Sequence, residues 1–190
     1  MTMESCQNME KNENIKKEKS AIEIIMARKS VRSYTARPVE KEKMDIMLKA
    51  AMASPSAVNK QPWSFIVIDD KEVLNHLAQV LPYAKMTAEA PMAIVVCGDL
   101  TKSLNGELGQ YWMLDCSAAS ENLLLAAEAL GLGAVWTAVY PEEQRIENVR
   151  AVLSLPEYIV PFNLIPIGYP QRNEEPKDKF KQENIHYNQW

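Results

Sequence analysis

The 190-residue chain has little of what several functions require. It holds three cysteines, Cys6, Cys97 and Cys116, with no CxxC spacing, so neither a disulfide framework nor a cysteine zinc site is expected, and the cysteine usage points to a reducing cytoplasm. Only His76 and His186 represent histidine, which leaves no multi-histidine metal site to build, and no metal is expected. No stretch reaches the roughly 20 apolar residues of a membrane-spanning helix, and the start of the chain is polar where a signal peptide needs an apolar core. Membrane insertion and export are therefore not expected. Positive charge is not in excess either. Lys plus Arg number 21 against 25 Asp plus Glu, a net charge of −4, which removes the long-range attraction a nucleic-acid binder relies on. There is no Walker loop and no GxSxG, and Cys116 and Ser117 fall in the middle of an expected helix with no histidine partner, so nucleophilic catalysis is not expected.

The remainder has the make-up of an ordinary globular protein. Apolar residues make up 47% and charged residues 24%, enough to fill one sizeable core. Residues 1–19 are mostly Glu, Lys, Asn and Met without apolar periodicity and read as a loose tail. Residues 20–190 read as one domain. Ser20 with Glu23 forms a capping box ahead of Ile22, Ile25 and Met26, which predicts a short helix into Arg28. Met44, Met47, Leu48, Ala51 and Met52 form the stripe of a second helix after Pro38, ended by Ser54-Pro55. Strands are expected at Ser64–Ile68, Met92–Cys97, Ala134–Tyr140 and Ile159–Ile167, the last interrupted by Pro161 and Pro166, residues that suit edges or bulges. The longest helix, about Leu108 to Leu130, is apolar on nearly every side, so it is buried within the domain or between subunits, and Gly131 caps it. Helices mixed with strands indicate an α+β sandwich around one sheet.

Four segments could carry chemistry. Arg28-Lys29-Ser30-Val31-Arg32-Ser33-Tyr34 gathers cations and hydroxyls that suit a phosphate, or it is a solvated basic turn. Ser54-Pro55-Ser56-Ala57-Val58-Asn59-Lys60-Gln61-Pro62-Trp63 could offer hydroxyl and amide groups to the edge of a heterocycle, or it is an ordinary helix-to-strand loop. Gly131-Leu132-Gly133-Ala134-Val135-Trp136 has its GxG after a helix and before a strand, the wrong order for a dinucleotide fingerprint, and reads as a cap plus a core strand whose end could turn amides toward a ligand. Ile167-Gly168-Tyr169-Pro170, followed by Lys177 and Lys179, is either plain surface or a tail whose lysines join the Arg28 cluster on one anion.

In this order and spacing, the four segments resemble the nitroreductase family of flavin-dependent oxidoreductases over nearly the whole chain after the tail. The resemblance implies an α/β sandwich with a central, mostly antiparallel sheet flanked by helices. It also implies an intertwined homodimer with two shared active sites, tightly bound FMN, and NAD(P)H as electron donor. Arg28, Lys29 and Ser30 then resemble the phosphate and ribityl contacts, with Lys177 and Lys179 completing the phosphate clamp. Arg32 resembles the cation near the flavin N1 and O2 edge, where it would stabilise the negative charge that reduction places there. Pro55, Ser56, Ala57 and Asn59 resemble the loop that reaches the flavin from the partner subunit. Trp136, Thr137 and Ala138 resemble the strand end along the ring, with a backbone N–H near N5. No side chain acts as nucleophile in this reading.

The chain departs from relatives at three places. Ala138 stands where some carry an acid beside N5, and Lys179 where some carry an arginine, which keeps the charge and gives up the bidentate fork. The span from Cys97 to Leu108 is short, which implies an open, permissive pocket. The expected reaction is ping-pong transfer of hydride from NAD(P)H, through N5, to a nitroaromatic, quinone or similar small acceptor. The alternatives are enone reduction or reductive dehalogenation on the same fold, a non-catalytic FMN-binding module, and a structural homodimer.

Overall fold

The computed structural model describes residues 19–190, so the tail expected over residues 1–19 lies almost wholly outside the described residues, as does Cys6. Ten main elements follow in order: α1 (Ala21–Ala27), α2 (Lys41–Met52), β1 (Trp63–Ile68), α3 (Lys71–Val80), β2 (Met92–Asp99), α4 (Trp112–Ala129), β3 (Gly133–Ala134), β4 (Thr137–Ala138), α5 (Glu143–Leu153) and β5 (Ile159–Gly168). The strands form one antiparallel sheet in the order β1-β2-β5-β3, with β4 also on β5.

Alternation along β2 sets the layers. Met92, Ile94 and Val96 face a core shared with Met47 and Ala51 of α2 and Cys116, Leu123 and Ala127 of α4. Ala93, Val95 and Cys97 face the opposite core, with Leu74 and Leu77 of α3 and Val149 of α5. All eight β2 residues are buried. Covering both faces turns the strand into a continuous apolar run, and each fully buried Leu or Ile contributes about 1.5–3 kcal/mol. The expected α+β sandwich is thus a three-layer arrangement.

Three details differ from the sequence reading. The long helix starts at Trp112 after a 3₁₀ turn over Gly106–Tyr111, and Leu114 on it is exposed. Second, β5 is interior rather than an edge. Its two prolines are tolerated for separate reasons: Pro161 sits opposite Cys97, where the register with β2 shifts, and the Pro166 carbonyl accepts from the Tyr34 hydroxyl at 3.1 Å. Third, the strand expected over Ala134–Tyr140 is two short pieces in one register, Ala134 opposite Ile167 and Thr137 opposite Leu164. That register places Val135 opposite Pro166, which has no N–H to offer, so the ladder breaks at Val135 and Trp136.

α1 has the expected capping box, with Ser20 Oγ accepting from the Glu23 N–H and Glu23 Oε2 from the Ser20 N–H, yet none of its residues is buried. Ile22, Ile25 and Met26 are exposed, as are Ile46 and Met52 of α2. No helix among the described residues is long and apolar enough to cross a membrane.

Candidate functional site

Immediately after α1 the chain runs as an extended thread that stitches two other segments together. Ser30 bridges Ala134 of β3, and the Val31 N–H donates to the Ala134 carbonyl at 3.0 Å. Tyr34 bridges Pro170, the Thr35 N–H donates to the Tyr169 carbonyl at 2.9 Å, and the Gln171 N–H donates to the Ser33 carbonyl at 3.1 Å. Val31 and Tyr34 are buried, and the Tyr34 hydroxyl donates to the Val31 carbonyl at 2.6 Å. Arg32 is left exposed, its guanidinium 3.3 Å from the Ser30 carbonyl. Burial pushes the Tyr34 hydroxyl well above the usual phenol range, so it stays a neutral donor.

Glutamates on α4 hold the first two cations from behind. Glu121 and Glu128, seven residues apart, share one face of that helix. Glu121 lies 3.6 Å from Arg28 Nε, and Glu128 lies 3.6 Å from Lys29 Nζ and 3.1 Å from Lys19 Nζ. In front of them opens a crevice of about 220 Å³ lined by Arg28, Lys29, Ser30, Arg32, Lys177 and Lys179, together with Glu174 and Glu175. Five cations against the two lining carboxylates and Glu121 and Glu128 behind them leave the cradle positive by one charge. A second crevice of about 340 Å³ is lined by Arg32, Val135, Trp136, Thr137 and Ala138, together with Tyr83 and Arg145. Arg32 belongs to both, so an anion cradle opens onto the place where the ladder breaks.

Trp136 is half-buried, its ring edge-on to Phe162 at 5.4 Å, and Ala138 is exposed. The Thr137 hydroxyl donates to the Leu164 carbonyl at 2.6 Å and is buried, so Thr137 has only its backbone left for a ligand. The structure therefore brings together Arg28, Lys29, Ser30, Arg32, Trp136, Thr137, Ala138, Lys177 and Lys179. It does not bring Pro55, Ser56, Ala57 and Asn59 to them within one chain. Those four precede β1, whose Trp63 pairs with Gly98 and so lies near Val160, whereas Gly133 pairs with Gly168 at the other end of β5 and beyond it in the sheet. Both groups touch α4, the loop at Asp115 and Arg28 at Glu121, about 9 Å apart along the helix, yet the loop lines neither of the two crevices.

The Ser56 to Gln61 loop is nonetheless built firmly. Ser56 Oγ accepts from the Gln61 N–H at 2.9 Å, and Asp115 of α4 accepts from the Ala57 N–H at 2.9 Å. Val58, Asn59 and Gln61 have φ of 50°, 54° and 50°. Left-handed backbone is unfavourable for a β-branched residue and marks a loop held in place by its surroundings.

Glu174, Glu175, Tyr83 and Arg145 are site residues that sequence reasoning missed. Charge alternation after Pro170 is a weak signal for the two glutamates, and nothing near Tyr83 or Arg145 sets them apart in sequence. Cys97 is pushed up to about 12 by burial and Cys116 is raised by the same cause, so neither is a thiolate at neutral pH.

The family model described as "Nitroreductase family" matches residues 25–88 and 74–169. The chain belongs to the nitroreductase family. A provisionally named NADH dehydrogenase/NAD(P)H nitroreductase from Methanothermobacter thermautotrophicus is 47% identical over 169 residues, 89% of this chain and 87% of that protein. A crystal structure from Parabacteroides distasonis with the same provisional name is 54% identical, covers 91% of this chain and 100% of its own, and superposes with a TM-score of 0.86. The FMN-dependent nitroreductase of Clostridium difficile R20291 is 31% identical, with 89% and 99% covered and a TM-score of 0.82. The matched residues run from Ile25 in α1 through Tyr169 and take in the sheet, the second crevice and Arg28, Lys29, Ser30 and Arg32 of the first, while Glu174, Glu175, Lys177 and Lys179 lie beyond them.

Proposed function

We propose that the chain is an FMN-dependent NAD(P)H oxidoreductase acting on nitroaromatic, quinone or similar small acceptors. The observation that carries this reading is the net positive cradle opening, through Arg32, onto the broken ladder at Val135 and Trp136. A dianionic phosphate fits five convergent cations, and Arg28 and Lys29 are already oriented by Glu121 and Glu128, so little side-chain ordering is left to the ligand. A planar ring fits the second crevice, where the ladder is interrupted at Val135 and Trp136 and Ala138 removes bulk. Bound FMN would supply two-electron chemistry by a ping-pong route, accepting hydride from NAD(P)H at N5 and passing it to the acceptor.

In this reading Arg28, Lys29, Ser30, Lys177 and Lys179 hold the phosphate. Arg32, with no carboxylate partner among the described residues, faces the ring edge that becomes negative and favours the reduced state. Protons come from water, which agrees with the buried, protonated thiols and the absence of a histidine at either crevice.

A homodimer completes the site. Pro55, Ser56, Ala57 and Asn59 line neither crevice of their own chain, and in this reading they meet the flavin from a second copy. The exposed Ile22, Ile25, Met26 and Leu114, and the wholly exposed stretch from Gln171 to Trp190 with Phe180, Ile185 and Tyr187 on it, supply apolar surface for such a partner.

The test is the visible absorption spectrum of the purified chain after incubation with FMN and gel filtration. A yellow dimer bleached rapidly by NADH or NADPH in stopped flow is expected. A colourless protein overturns the proposal, and a yellow one that neither donor bleaches reduces it to a flavin-binding module. Acceptor profiling then separates nitro and quinone reduction from enone reduction or dehalogenation.

A further inference from the structure

Arg145 has no role in the site as described above, yet its position is not that of a solvated surface cation. It is the third residue of α5, in the first turn, where the helix dipole disfavours positive charge. Three contacts hold it there. Its guanidinium lies 5.5 Å from the ring centroid of Tyr83, its Nη1 is 3.4 Å from the Ala138 carbonyl, and the residue lines the 340 Å³ crevice that Arg32 also lines. Among the described residues neither Arg145 nor Arg32 has a carboxylate within ion-pair distance, and no acidic residue lines this crevice. Two unpaired arginines lining one crevice create a field that a neutral ligand leaves uncompensated. With Arg32 turned to the flavin in the function proposed above, Arg145 remains for the molecule that exchanges electrons with it.

We propose that Arg145, braced by Tyr83 and the Ala138 carbonyl, is a specificity-determining residue that binds an oxyanion, a carboxylate or a phosphate, on the non-flavin ligand of this crevice. The planar fork suits either group, paired bidentately. Trp136 offers an aromatic wall to the rest of such a ligand. This inference rests on the FMN reading for its place in the reaction, but the binding it asserts can be measured with or without flavin.

The experiment is isothermal titration calorimetry on the full chain, flavin-loaded and flavin-free, with two matched pairs: 4-nitrobenzoate against 4-nitrobenzyl alcohol, and NADP⁺ against NAD⁺. At least one charged member should bind about tenfold more tightly than its neutral or less charged counterpart, and Arg145→Gln should abolish that preference while Arg145→Lys keeps part of it. A change confined to the first pair assigns a carboxylate, and one confined to the second assigns the nucleotide phosphate. In steady state 4-nitrobenzoate against 4-nitrobenzyl alcohol, and NADPH against NADH, should show the loss as a fall in the ratio of kcat/KM within the pair. Equal binding within both pairs by the wild type, or a preference that survives Arg145→Gln, overturns the inference. If Arg145→Gln melts early, salt takes its place: raising NaCl from about 0.05 to 0.5 M should weaken the more charged member of the pair more than its counterpart, and a salt-independent preference overturns the inference. A chain that stays colourless with FMN refutes the proposed function instead, and leaves the flavin-free titrations to judge Arg145.

Discussion

A β-carbon built on Gly133 falls 2.6 Å from Cβ of Val31. The close approach is what lets the thread after α1 hydrogen-bond to β3, and Val31 lies between Ser30 and Arg32, so the spacing of the anion cradle depends on it. Gly133→Ala forces two backbones apart at a buried position. The expected cost is about 1–3 kcal/mol, seen as a melting temperature lower by several degrees, together with weaker FMN binding. A variant with wild-type stability and flavin content would show that the contact relaxes without moving the cradle.

Lys177 and Lys179 sit on an exposed segment, and each adds one charge to the crevice. Exposed charges are screened, so each should contribute about 1 kcal/mol or less to a bound phosphate. The double variant Lys177→Ala and Lys179→Ala should weaken FMN about tenfold, with the wild-type gap narrowing at high salt, while riboflavin, which has no phosphate, should bind both proteins alike. Equal weakening of both flavins, measured by fluorescence titration, would assign the lysines a general role in folding the tail.

Much of this site is legible because its parts are local. The capping box at Ser20 and Glu23, the apolar runs of β1 and β2 and the cation cluster after α1 each depend on neighbours within a few residues, and each is where the periodicity puts it. What escapes is long-range. Pro166 reads as an edge or bulge residue, yet it lies in an interior strand, and its effect is felt across the sheet at Val135, where it interrupts a strand expected to be continuous. Ile22, Ile25 and Met26 have the spacing of a buried stripe and are exposed, because a pattern records that a face is apolar and not which chain covers it. Arg145 and Tyr83 meet over 62 positions of sequence, a pairing that no local signal announces.

The C-terminal segment leaves the sheet through a charged clamp with its own pH signature. The Tyr169 hydroxyl donates to Glu40 Oε2 at 2.6 Å and accepts from Lys43 Nζ at 2.9 Å, and Arg37 donates to Glu40 Oε1 at 2.6 Å while lying 3.9 Å above the Tyr169 ring. The Tyr169 hydrogen bond, then the backbone of Glu40 itself and the Arg37 bond, hold the Glu40 carboxyl down to about 2. A carboxylate held lower when folded than when unfolded contributes its stability above the ordinary carboxylate range and loses it as pH falls toward 2. Wild-type melting temperature should therefore drop between about pH 4.5 and 2, and Tyr169→Phe should flatten that part of the drop. Parallel pH profiles for the two proteins would mean that the clamp forms equally well without the hydroxyl.

Asn163 of β5 and Ser120 of α4, both fully buried, carry polar groups into the core between sheet and helix. Asn163 Nδ2 donates to Ser120 Oγ at 2.8 Å, and the Ser120 hydroxyl donates to the Cys116 carbonyl at 2.7 Å, while Asn163 Oδ1 has no partner among the described residues. Removing one member of a buried pair exposes the other to the full cost of desolvation, whereas removing both does not. Ser120→Ala should destabilise by about 1–3 kcal/mol in urea denaturation, because the Asn163 amide then has no acceptor. Adding Asn163→Leu should recover most of that loss, giving a coupling energy of opposite sign to the single effects. Additive losses in the double variant would mean that Oδ1 is satisfied by an ordered water, making Asn163 a stabilising residue in its own right.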